Sequence, residues 1–401
     1  MATASKKPHR IAHKTRVHLN NKQRSWMVAN CVGCRLAYNY AIEQMNRAYQ
    51  ARKYEPDIPH LSPKDIRKMW TVERYKRYPW MENQRLLLSA LNNAINVNYA
   101  AALNQWKKSH WNVDKIPRYH GRRTSLSVMM DYTAIADKHI DKKTLQLPQK
   151  MGTCRLAEPL RFKGTLKQAT FSESGGKWYV SFLLAVDELP ERTAAATGTS
   201  IGVDMGVSKF VTLSNAEHIE MPPQLDEARE HTKKIQRQLS NKQGPVKRKR
   251  KASKNWLKLS RKLSAAHRKT ANIRRNTMEH VTKSLAEQYE TVVIEDLKVK
   301  NMTGSAKGDA DQPGTNVAAK SGLNREILNN GFYQFRELIT HKAAKVIAVD
   351  PKYTSQTCSQ CGVIDKNSRL SQSEFKCTGC GFEINADVNA AQNILDRALS
   401  Q

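Results

Sequence analysis

The spacing of apolar residues changes partway along the chain. Over 85–106, RLLLSALNNAINVNYAAALNQW, they recur at helical spacing, and glycine is scarce around them. That period predicts a mostly helical segment over residues 1–110. A proline and a glycine interrupt the pattern in KIPRYHGRR, 115–123. Over 160–186, apolar and polar residues alternate on either side of a Gly-Gly pair, which predicts strands in a small β domain.

The segment ERTAAATGTS, 191–200, is rich in small residues and predicts a linker between domains. Beyond it, 199–215 has the pattern of a strand, a tight turn at Gly206 and a second strand. The other elements predicted are two long basic helices over 224–290 with a break near 241–255, a buried strand within 290–302 that ends at an acidic pair, a polar loop over 304–322, a helix over 323–345, a strand over 346–350 and a final helix.

The charge balance indicates the class of partner. The chain has 67 Lys and Arg residues against 36 Asp and Glu residues, a formal net charge of +31. An excess this large is typical of proteins that bind nucleic acid. A membrane surface is the alternative, but the sequence has no apolar run near the ~18 residues that span a bilayer. The basic N-terminal stretch has no apolar segment after it, so a secretory signal is not expected.

Four of the seven cysteines form one array. Cys358-x2-Cys361 and Cys377-x2-Cys380 are separated by fifteen residues, and a glycine follows each pair. Two such pairs provide the four thiolates of a tetrahedral zinc site. A site with four protein ligands is closed, so the predicted zinc is structural. Reduced thiols also predict a cytoplasmic protein. The other cysteines are interpreted as small buried residues: Cys31, Cys34 and Cys154.

Three acidic residues lie where predicted elements end or begin. Asp204 and Glu295 each follow an apolar strand, and Asp387 begins the last helix. Such ends converge on one edge of a sheet flanked by helices, and grouped carboxylates repel one another unless cations lie between them. Mg²⁺ suits such a site and can activate a water against a phosphodiester. Each acid also has a plainer interpretation: Asp204 as a turn residue, Glu295 or its neighbour as a partner of Lys298, and Asp387 as a helix N-cap.

Two further features bear on nucleic-acid contact. The segment VKRKRKASKNWLKLSRK, 246–262, is predicted to contact the phosphate backbone, and the alternative is a solvated loop and helix face. Four tryptophans lie among Lys and Arg in the helical part, where they are interpreted as core residues or as surfaces for base stacking. The basic residues are Lys247, Arg248, Lys249, Arg250, Lys251, Lys254 and Lys258, and the tryptophans are Trp70, Trp80, Trp106 and Trp111.

The strings IGVDMG and VVIEDL, with the cysteine array that runs into ADVNAAQNI, resemble the RuvC-like nucleases of the TnpB family. Bacterial insertion sequences encode that family, and it is related to type V CRISPR effectors. The similarity extends to LNREILNNGFYQFRELITHKA and DPKYTSQTCSQCG, and more weakly to CRLAYNYAIE and KIPRYHGRR. It covers the chain strongly from residue 200 onward and the rest loosely.

The resemblance implies a role for each of these residues. Asp204, Glu295 and Asp387 would be the catalytic carboxylates that bind Mg²⁺, and the four clustered cysteines the zinc ligands. The implied fold is an α/β RNase H-like (RuvC) nuclease core with an inserted zinc ribbon, plus an N-terminal β-barrel (wedge) with an inserted helical recognition domain. The expected boundaries are 1–15 and 112–192 for the wedge, 16–111 for the recognition domain, 199–352 and 384–401 for the nuclease core, and 353–383 for the zinc ribbon.

The function that the resemblance implies is RNA-guided cutting of double-stranded DNA beside a short adjacent motif, with a guide RNA from the end of the transposon. One alternative is a miniature type V CRISPR effector that uses CRISPR RNA. Another is a guided DNA-binding repressor that does not cut. A transposase that joins strands itself fits less well, because the sequence has no tyrosine-recombinase constellation. The sequence does not decide between a monomer and a dimer.

Overall fold

In the computed structural model, the parts of the chain on either side of the predicted linker each build their own sheet. The two units are Met1–Leu189 and Pro190–Gln401. Each unit has a separate hydrophobic core. The residues that the structure describes are 8–121, 125–132, 140–189, 198–207, 209–246, 251–308 and 312–400.

The alternating pattern of the first unit forms a seven-stranded antiparallel sheet. Its longest hairpin turns at Gly175 and Gly176, which both have positive φ, so the predicted strands around the Gly-Gly pair are confirmed. The strands are β1 (His9–His18), β2 (Ser127–Asp131), β3 (Ile140–Asp141), β4 (Thr144–Gln146), β5 (Thr153–Leu156), β6 (Thr165–Ser174) and β7 (Lys177–Val186). Their order is β2-β6-β7-β1-β5-β4-β3.

The helical prediction is wrong at the start of the chain, where β1 is a strand. In HRIAHKTRVH the side chains of His13, Thr15 and Val17 are buried and their neighbours are more exposed. This period of two belongs to a strand with one face on the core. The scarcity of glycine favoured a helix, but the alternation decides the structure.

The rest of the predicted helical segment is helical as expected. Asn20 caps the first helix, and Gln23 completes a capping box. The helices share one hydrophobic core with the sheet of this unit. The helices are α1 (Asn21–Ala51), α2 (Pro63–Arg77), α3 (Leu88–Asn93), a π-helical turn (Ala94–Tyr99) and α4 (Ala100–Lys108), and short 3₁₀ turns cover Pro79–Met81 and Val113–Lys115.

The tryptophans of the helical part differ in exposure, and base stacking stays a prediction for the exposed ones. Trp70 and Trp106 are buried in the core, whereas Trp80 is 38% exposed and Trp111 is 46% exposed. The isolated cysteines are all buried, which confirms their interpretation as small core residues: Cys31, Cys34 and Cys154.

The second unit is built on a mixed five-stranded sheet. The predicted strand, turn and second strand after the linker are β8 (Ser200–Asp204) and β9 (Val211–Leu213), and the buried strand before the acidic pair is β11 (Thr291–Glu295). The remaining strands are β10 (His218–Ile219) and β12 (Lys345–Val349). The order is β10-β9-β8-β11-β12, with β8, β11 and β12 parallel and the other two antiparallel.

The two long basic helices of the second unit are confirmed, with the break where it was predicted. The predicted loop 304–322 is too long, because a helix begins at Val317. The helix predicted over 323–345 is two helices that meet at Gly331, which has φ of +68°. The helices are α5 (Pro223–Ser240), α6 (Lys254–Gln288), α7 (Val299–Met302), α8 (Val317–Asn330), α9 (Phe332–Lys342) and α10 (Ala386–Leu399).

A small antiparallel hairpin completes the second unit. It consists of β13 (Glu374–Lys376) and β14 (Glu383–Asn385) and leads directly into α10. A 3₁₀ turn precedes it at Lys366–Ser368. Among the helices in the described ranges, none is both long and apolar enough to cross a membrane.

Candidate functional site

Asp204 and Glu295 lie side by side at one edge of the five-stranded sheet. In the parallel pairing of β8 with β11, Val203 is opposite Ile294, and each acid is the next residue along its strand. Adjacent strands are about 4.8 Å apart. Both acids therefore lie at the carboxyl ends of neighbouring parallel strands, where the sequence predicted them.

The N-terminus of α10 places Asp387 close to this edge. The helix lies directly on β8 because Gly202 has no side chain: a Cβ at that position would be 2.1 Å from the carbonyl oxygen of Ala391. The helix is capped by Asn385, whose side chain accepts hydrogen bonds from the backbone N–H groups of Asp387 at 3.0 Å and Val388 at 3.3 Å. The plainer interpretation of Asp387 as the N-cap is therefore wrong, and its carboxylate does not cap the helix.

Asp204 lies within electrostatic reach of both other acids. Burial raises this pKa to about 7, and repulsion from Glu295 and Asp387 adds to the effect. The guanidinium of Arg369 opposes the rise. Arg369 Nη2 is 3.4 Å from Oδ1 of Asp387. Without a cation, the cluster therefore holds a proton close to neutral pH.

The adjacent acids Glu295 and Asp296 have different environments. Burial raises the pKa of Glu295. Hydrogen bonds from Lys298 and Arg336 lower the pKa of Asp296 instead. The predicted partner of Lys298 is therefore Asp296. Glu295 is the acid of this Glu-Asp sequence that faces Asp204.

The three clustered carboxylates offer the oxygen donors that Mg²⁺ prefers. Their mutual repulsion is the physical reason why a divalent cation fits between them. Mg²⁺ keeps several of its waters and binds substrate phosphate as well, so it needs only one or two carboxylates from the protein.

The four cysteines come together as the sequence predicted. The sulfurs of Cys358 and Cys380 are 3.8 Å apart, and those of Cys361 and Cys377 are 3.5 Å apart. A tetrahedral site with Zn–S bonds of about 2.3 Å has sulfurs about 3.8 Å apart. The cluster therefore fits a zinc ion.

The two cysteine knuckles have the same backbone pattern. In the first, the N–H of Gly362 donates to the carbonyl of Cys358 at 2.9 Å, and in the second the N–H of Gly381 donates to that of Cys377 at 3.0 Å. Both glycines have positive φ, near +75°. Each turn needs this conformation, which only glycine adopts readily.

The first knuckle is bound to α10 by side-chain amides. Asn389 donates to the carbonyl oxygen of Thr357 at 2.7 Å, and Asn393 donates to those of Thr354 at 2.9 Å and Thr357 at 2.6 Å. Asn389 also accepts from the N–H of Ser359 at 3.0 Å. The zinc-binding segment therefore fixes the same helix that presents Asp387.

The predicted phosphate-contacting segment is described in part. Lys251, Lys254 and Lys258 are exposed, the latter two in the first turns of α6. Their contact with nucleic acid stays a prediction. The other four predicted contacts, Lys247, Arg248, Lys249 and Arg250, lie outside the described residues.

Sequence reasoning missed several residues that shape this site. Arg369 and Thr354 were not singled out, because a lone Arg or Thr between motifs has no diagnostic spacing. Gly202 could have been found, since a glycine inside a buried strand indicates the close approach of another backbone. The Asn389 and Asn393 pair could also have been found from its i, i+4 spacing on one helix face.

Comparison with known families gives two matches in the second half of the chain. A model described as "Probable transposase" (OrfB_IS605) matches residues 183–306, which include Asp204 and Glu295. A model described as "Cas12f1-like, TNB domain" matches residues 332–394, which include the four cysteines and Asp387. The two matches therefore contain all three acids and the whole metal-binding array.

Three curated relatives are similar over different lengths. "Putative RNA-guided DNA endonuclease InsQ" of Escherichia coli (strain K12) is 41% identical over 250 residues, 61% of this chain and 60% of that protein. A "Putative RNA-guided DNA endonuclease" of Streptomyces pristinaespiralis is 27% identical over 92% of this chain and 84% of its own. "CRISPR-associated endodeoxyribonuclease Cas12f1" of Sulfoacidibacillus thermotolerans is 49% identical over 75 residues, 18% of each chain. The resemblance to the TnpB family is confirmed, and the match spans less than two thirds of InsQ.

Among solved structures, the mini-RNA-guided endonuclease CRISPR-Cas_phi3 is similar with a TM-score of 0.45 and 13% identity, over 98% of this chain and 93% of that one. The Cas12f1–sgRNA–target DNA complex matches with a TM-score of 0.32 and 15% identity, over 97% of this chain and all of that one.

Proposed function

We propose that this chain is an RNA-guided DNA endonuclease that cuts double-stranded DNA beside a short adjacent motif by Mg²⁺-dependent phosphodiester hydrolysis. The observation that supports this most is the convergence of Asp204, Glu295 and Asp387, where crowding and burial raise the pKa of Asp204 to about 7. Curated relatives named as RNA-guided DNA endonucleases supply the guided part of the proposal.

The strand order of the second unit supports an RNase H-like (RuvC) core. A three-strand antiparallel meander, β10-β9-β8, is followed in the sheet by the parallel strands β11 and β12. In this proposal the core covers 199–352 and 384–401, and the zinc ribbon over 353–383 is inserted before α10. We also propose a wedge domain, 1–15 and 112–192, with a recognition domain, 16–111, inserted in it, and the antiparallel sheet and helices of the first unit support this division.

Each residue of the site has a distinct role in the proposed hydrolysis. Asp204, Glu295 and Asp387 would hold the metal through carboxylate oxygens, with Asp204 losing its proton as the cation binds. When bound, Mg²⁺ would acidify a water and stabilise the leaving 3′ oxygen. Arg369, at 3.4 Å from Asp387, is placed to neutralise charge on a phosphate at this edge. The cysteine array would hold a structural zinc and keep α10 in position.

The proposed partners are a guide RNA from the transposon end and double-stranded target DNA. The net charge of +31 supports a polyanionic partner. In this proposal, base pairing with the guide reads the target, and the protein reads the adjacent motif and the shape of the duplex. The cytoplasmic location suggested by the reduced cysteines stays a prediction.

The experiment that tests the guided function is to purify the protein from cells that carry its native locus and to sequence the RNA that copurifies. RNA from the end of a mobile element that continues into flanking sequence is the expected result. A copurified RNA population without any specific species would contradict the guided mechanism and leave a basic, metal-dependent nuclease.

A miniature type V CRISPR effector is the second candidate function. The match of residues 332–394 to a Cas12f1-like domain is the observation that favours it. Both candidates share the chemistry of the acidic cluster and differ in the source of the guide. CRISPR-derived RNA in the same purification would select this candidate, and specific RNA without any DNA cutting would instead indicate a guided repressor.

A further inference from the structure

A cleft of about 500 Å³ opens in the first unit between the end of α1, the loop that precedes α2, and the end of α4. This volume is in the range of sites that bind small molecules and single nucleotides. The carboxylates of the proposed hydrolysis belong to the second unit. The proposed nuclease chemistry therefore does not account for this cleft.

Two exposed aromatic rings face the cleft, and both pack against the buried ring of Trp106. Tyr49 is 44% exposed and Trp111 is 46% exposed, while Trp106 is buried. The ring of Trp106 meets Trp111 edge to face, with centroids 4.7 Å apart and planes at 86°. It lies 6.3 Å from the Tyr49 ring at 65°. Trp106 therefore serves as the core anchor, and the other two rings are presented to solvent.

Trp111 is held in an uncommon backbone conformation. His110 and Trp111 have φ of 54° and 61°, in the left-handed region that bulky residues rarely adopt. The turn is fixed by the N–H of Trp111 donating to the carbonyl of Trp106 at 3.2 Å, and by the indole N–H of Trp106 donating to the carbonyl of Asn112 at 3.0 Å. Strained residues of this kind cluster at ligand-binding sites.

An ammonium group accompanies each exposed ring. Lys107 Nζ is 5.9 Å from the centroid of Trp111, and Lys53 Nζ is 5.5 Å from that of Tyr49. The described residues that line the cleft include Arg52 and His60 as well, and none of them is acidic. Within the described parts of the chain, neither lysine forms an ion pair. The cleft therefore combines exposed aromatic faces with positive charge that has no acidic partner.

The side chain of Arg52 fixes the loop that lines one side of the cleft. Arg52 donates to the carbonyl oxygens of Ile58 and Pro59, both at 2.8 Å. This brings the ring of His60 nearly parallel to that of Trp111, at 20° and with centroids 6.5 Å apart. Desolvation and the nearby Arg52 and Lys107 lower the pKa of His60.

We propose that this cleft binds an unpaired nucleobase of a single-stranded polynucleotide, with the base against Trp111 or Tyr49 and the adjoining phosphate at Lys107 or Lys53. Aromatic rings combined with a positive groove are the usual means of binding single strands, and stacking tolerates any base. The inference rests on the proposed function, which brings such a strand to the protein. RNA and DNA share this chemistry. A protein partner fits less well, because an acidic peptide would satisfy the positive charge and leave the exposed aromatic faces without a planar partner.

The test is photo-crosslinking of the full-length Asp204→Ala chain, without Mg²⁺, to eight-residue oligonucleotides that carry 5-iodouridine (RNA) or 5-iodo-2′-deoxyuridine (DNA). Peptide mass spectrometry should locate adducts on Trp111 or Tyr49. We expect Trp111→Leu to lower the affinity for these oligonucleotides roughly tenfold, because one stacking surface is lost. Trp80→Leu is the matched control, since Trp80 is 38% exposed and does not line the cleft.

Lys107→Gln gives a second variant that keeps both rings in place. It should reduce the slope of log affinity against log salt by about one. Adducts with only the RNA or only the DNA oligonucleotide would show which of the two nucleic acids supplies the base. Equal loss of affinity in the two tryptophan variants, or adducts confined to residues outside the cleft with both polymers, would overturn the inference. Because these conditions prevent cutting, a failure of the proposed nuclease activity would not affect the result.

Discussion

The hydroxyl of Thr354 donates a 2.6 Å hydrogen bond to Oε1 of Glu295. Thr354 is buried, and its carbonyl oxygen accepts from the side chain of Asn393 on α10. It lies four residues before Cys358, the first cysteine of the array. The entry to the zinc-binding segment is therefore bonded both to a member of the acidic cluster and to the helix that presents Asp387.

This hydrogen bond predicts that Thr354 orients Glu295 for metal binding. A hydrogen bond to a charged group contributes about 1.5–3 kcal/mol. Replacing Thr354 by Val keeps its shape and removes the donor, so the Mg²⁺ concentration for half-maximal cutting should rise roughly tenfold or more. Isothermal titration of Mn²⁺ into the same variant should show a matching loss of affinity.

Thr354→Ser is the matched control because it retains the hydroxyl. It should bind Mn²⁺ about as well as the wild type. If Val and Ser weaken metal binding equally, the hydroxyl does not position Glu295 and the defect is one of packing.

The raised pKa of Asp204 predicts that the metal-free protein is destabilised by its own acidic cluster. The unfolded carboxyl titrates near pH 4 and the folded one near 7. Below pH 4 both states are protonated and the folded state carries no penalty, so stability falls as pH rises from 4 to 7. Asp204→Asn should therefore be more stable than the wild type at pH 8, by up to about 4 kcal/mol, and equal to it at pH 4.

Thermal melts in EDTA at several pH values would measure this difference. Asp296→Asn is the control, since Lys298 and Arg336 lower the pKa of Asp296 and its removal should give no gain at pH 8. Added Mg²⁺ should stabilise the wild type and not the Asp204→Asn variant. A wild type that is more stable than Asp204→Asn at pH 8 in EDTA would show that the carboxylates are not crowded.

The close packing at Gly202 predicts that a single added methyl group lowers the stability of the protein. A Cβ there would lie 2.1 Å from the carbonyl oxygen of Ala391 and 2.9 Å from the Cβ of Leu395. The backbone of α10 cannot move aside as the end of a flexible side chain can. Gly202→Ala should therefore push α10 away from β8 and lower the free energy of unfolding by about 3 kcal/mol or more. Urea unfolding would measure the loss.

Gly322→Ala is the matched control in the same unit. It lies inside α8, and its Cβ would meet nothing within 4 Å. Alanine in a helix interior should be neutral or stabilising by about 0.5–1 kcal/mol. Equal stability of the two alanine variants would mean that α10 does not rest on β8.

The cysteine array predicts one structural zinc per chain. Cys377→Ser removes a ligand from a closed site, so the zinc content measured by plasma mass spectrometry should fall from about one per chain towards zero. The melting temperature should fall with it, because the first knuckle is bonded to α10 through Asn389 and Asn393. Cys154→Ala, at a buried cysteine of the first unit, should keep the full zinc content. Zinc-free wild-type protein with an unchanged melting temperature would contradict a structural role.

Much of the site could be predicted because its residues follow from strand and helix ends. Asp204 and Glu295 end apolar strands, and parallel strands bring their carboxyl ends to one edge. The spacing of the four cysteines is enough to predict a tetrahedral zinc site. These inferences need only local patterns.

The rest depends on contacts that no local pattern encodes. Gly331 breaks the predicted helix because it adopts a positive φ, and a Cβ there would lie 2.9 Å from Met278 Cε on α6. Arg369 reaches Asp387 only because the zinc-binding segment folds back over α10. At the start of the chain, the apolar pattern alone favoured helix over β1, because its period of two lies in a polar, histidine-rich stretch, whereas the family resemblance implied a β domain over 1–15.

The most direct test of the account is Mg²⁺-dependent cutting of a plasmid target by the purified protein with its copurified RNA. Four variants should be compared at equal protein and RNA content: Asp204→Ala, Glu295→Ala, Asp387→Ala and, as the control, Asp296→Ala. We expect the first three to lose cutting by at least about a thousandfold while still binding the target, and Asp296→Ala to cut within a fewfold of wild type. Cutting near the wild-type rate by any of the first three would remove that carboxylate from the mechanism and contradict the central claim.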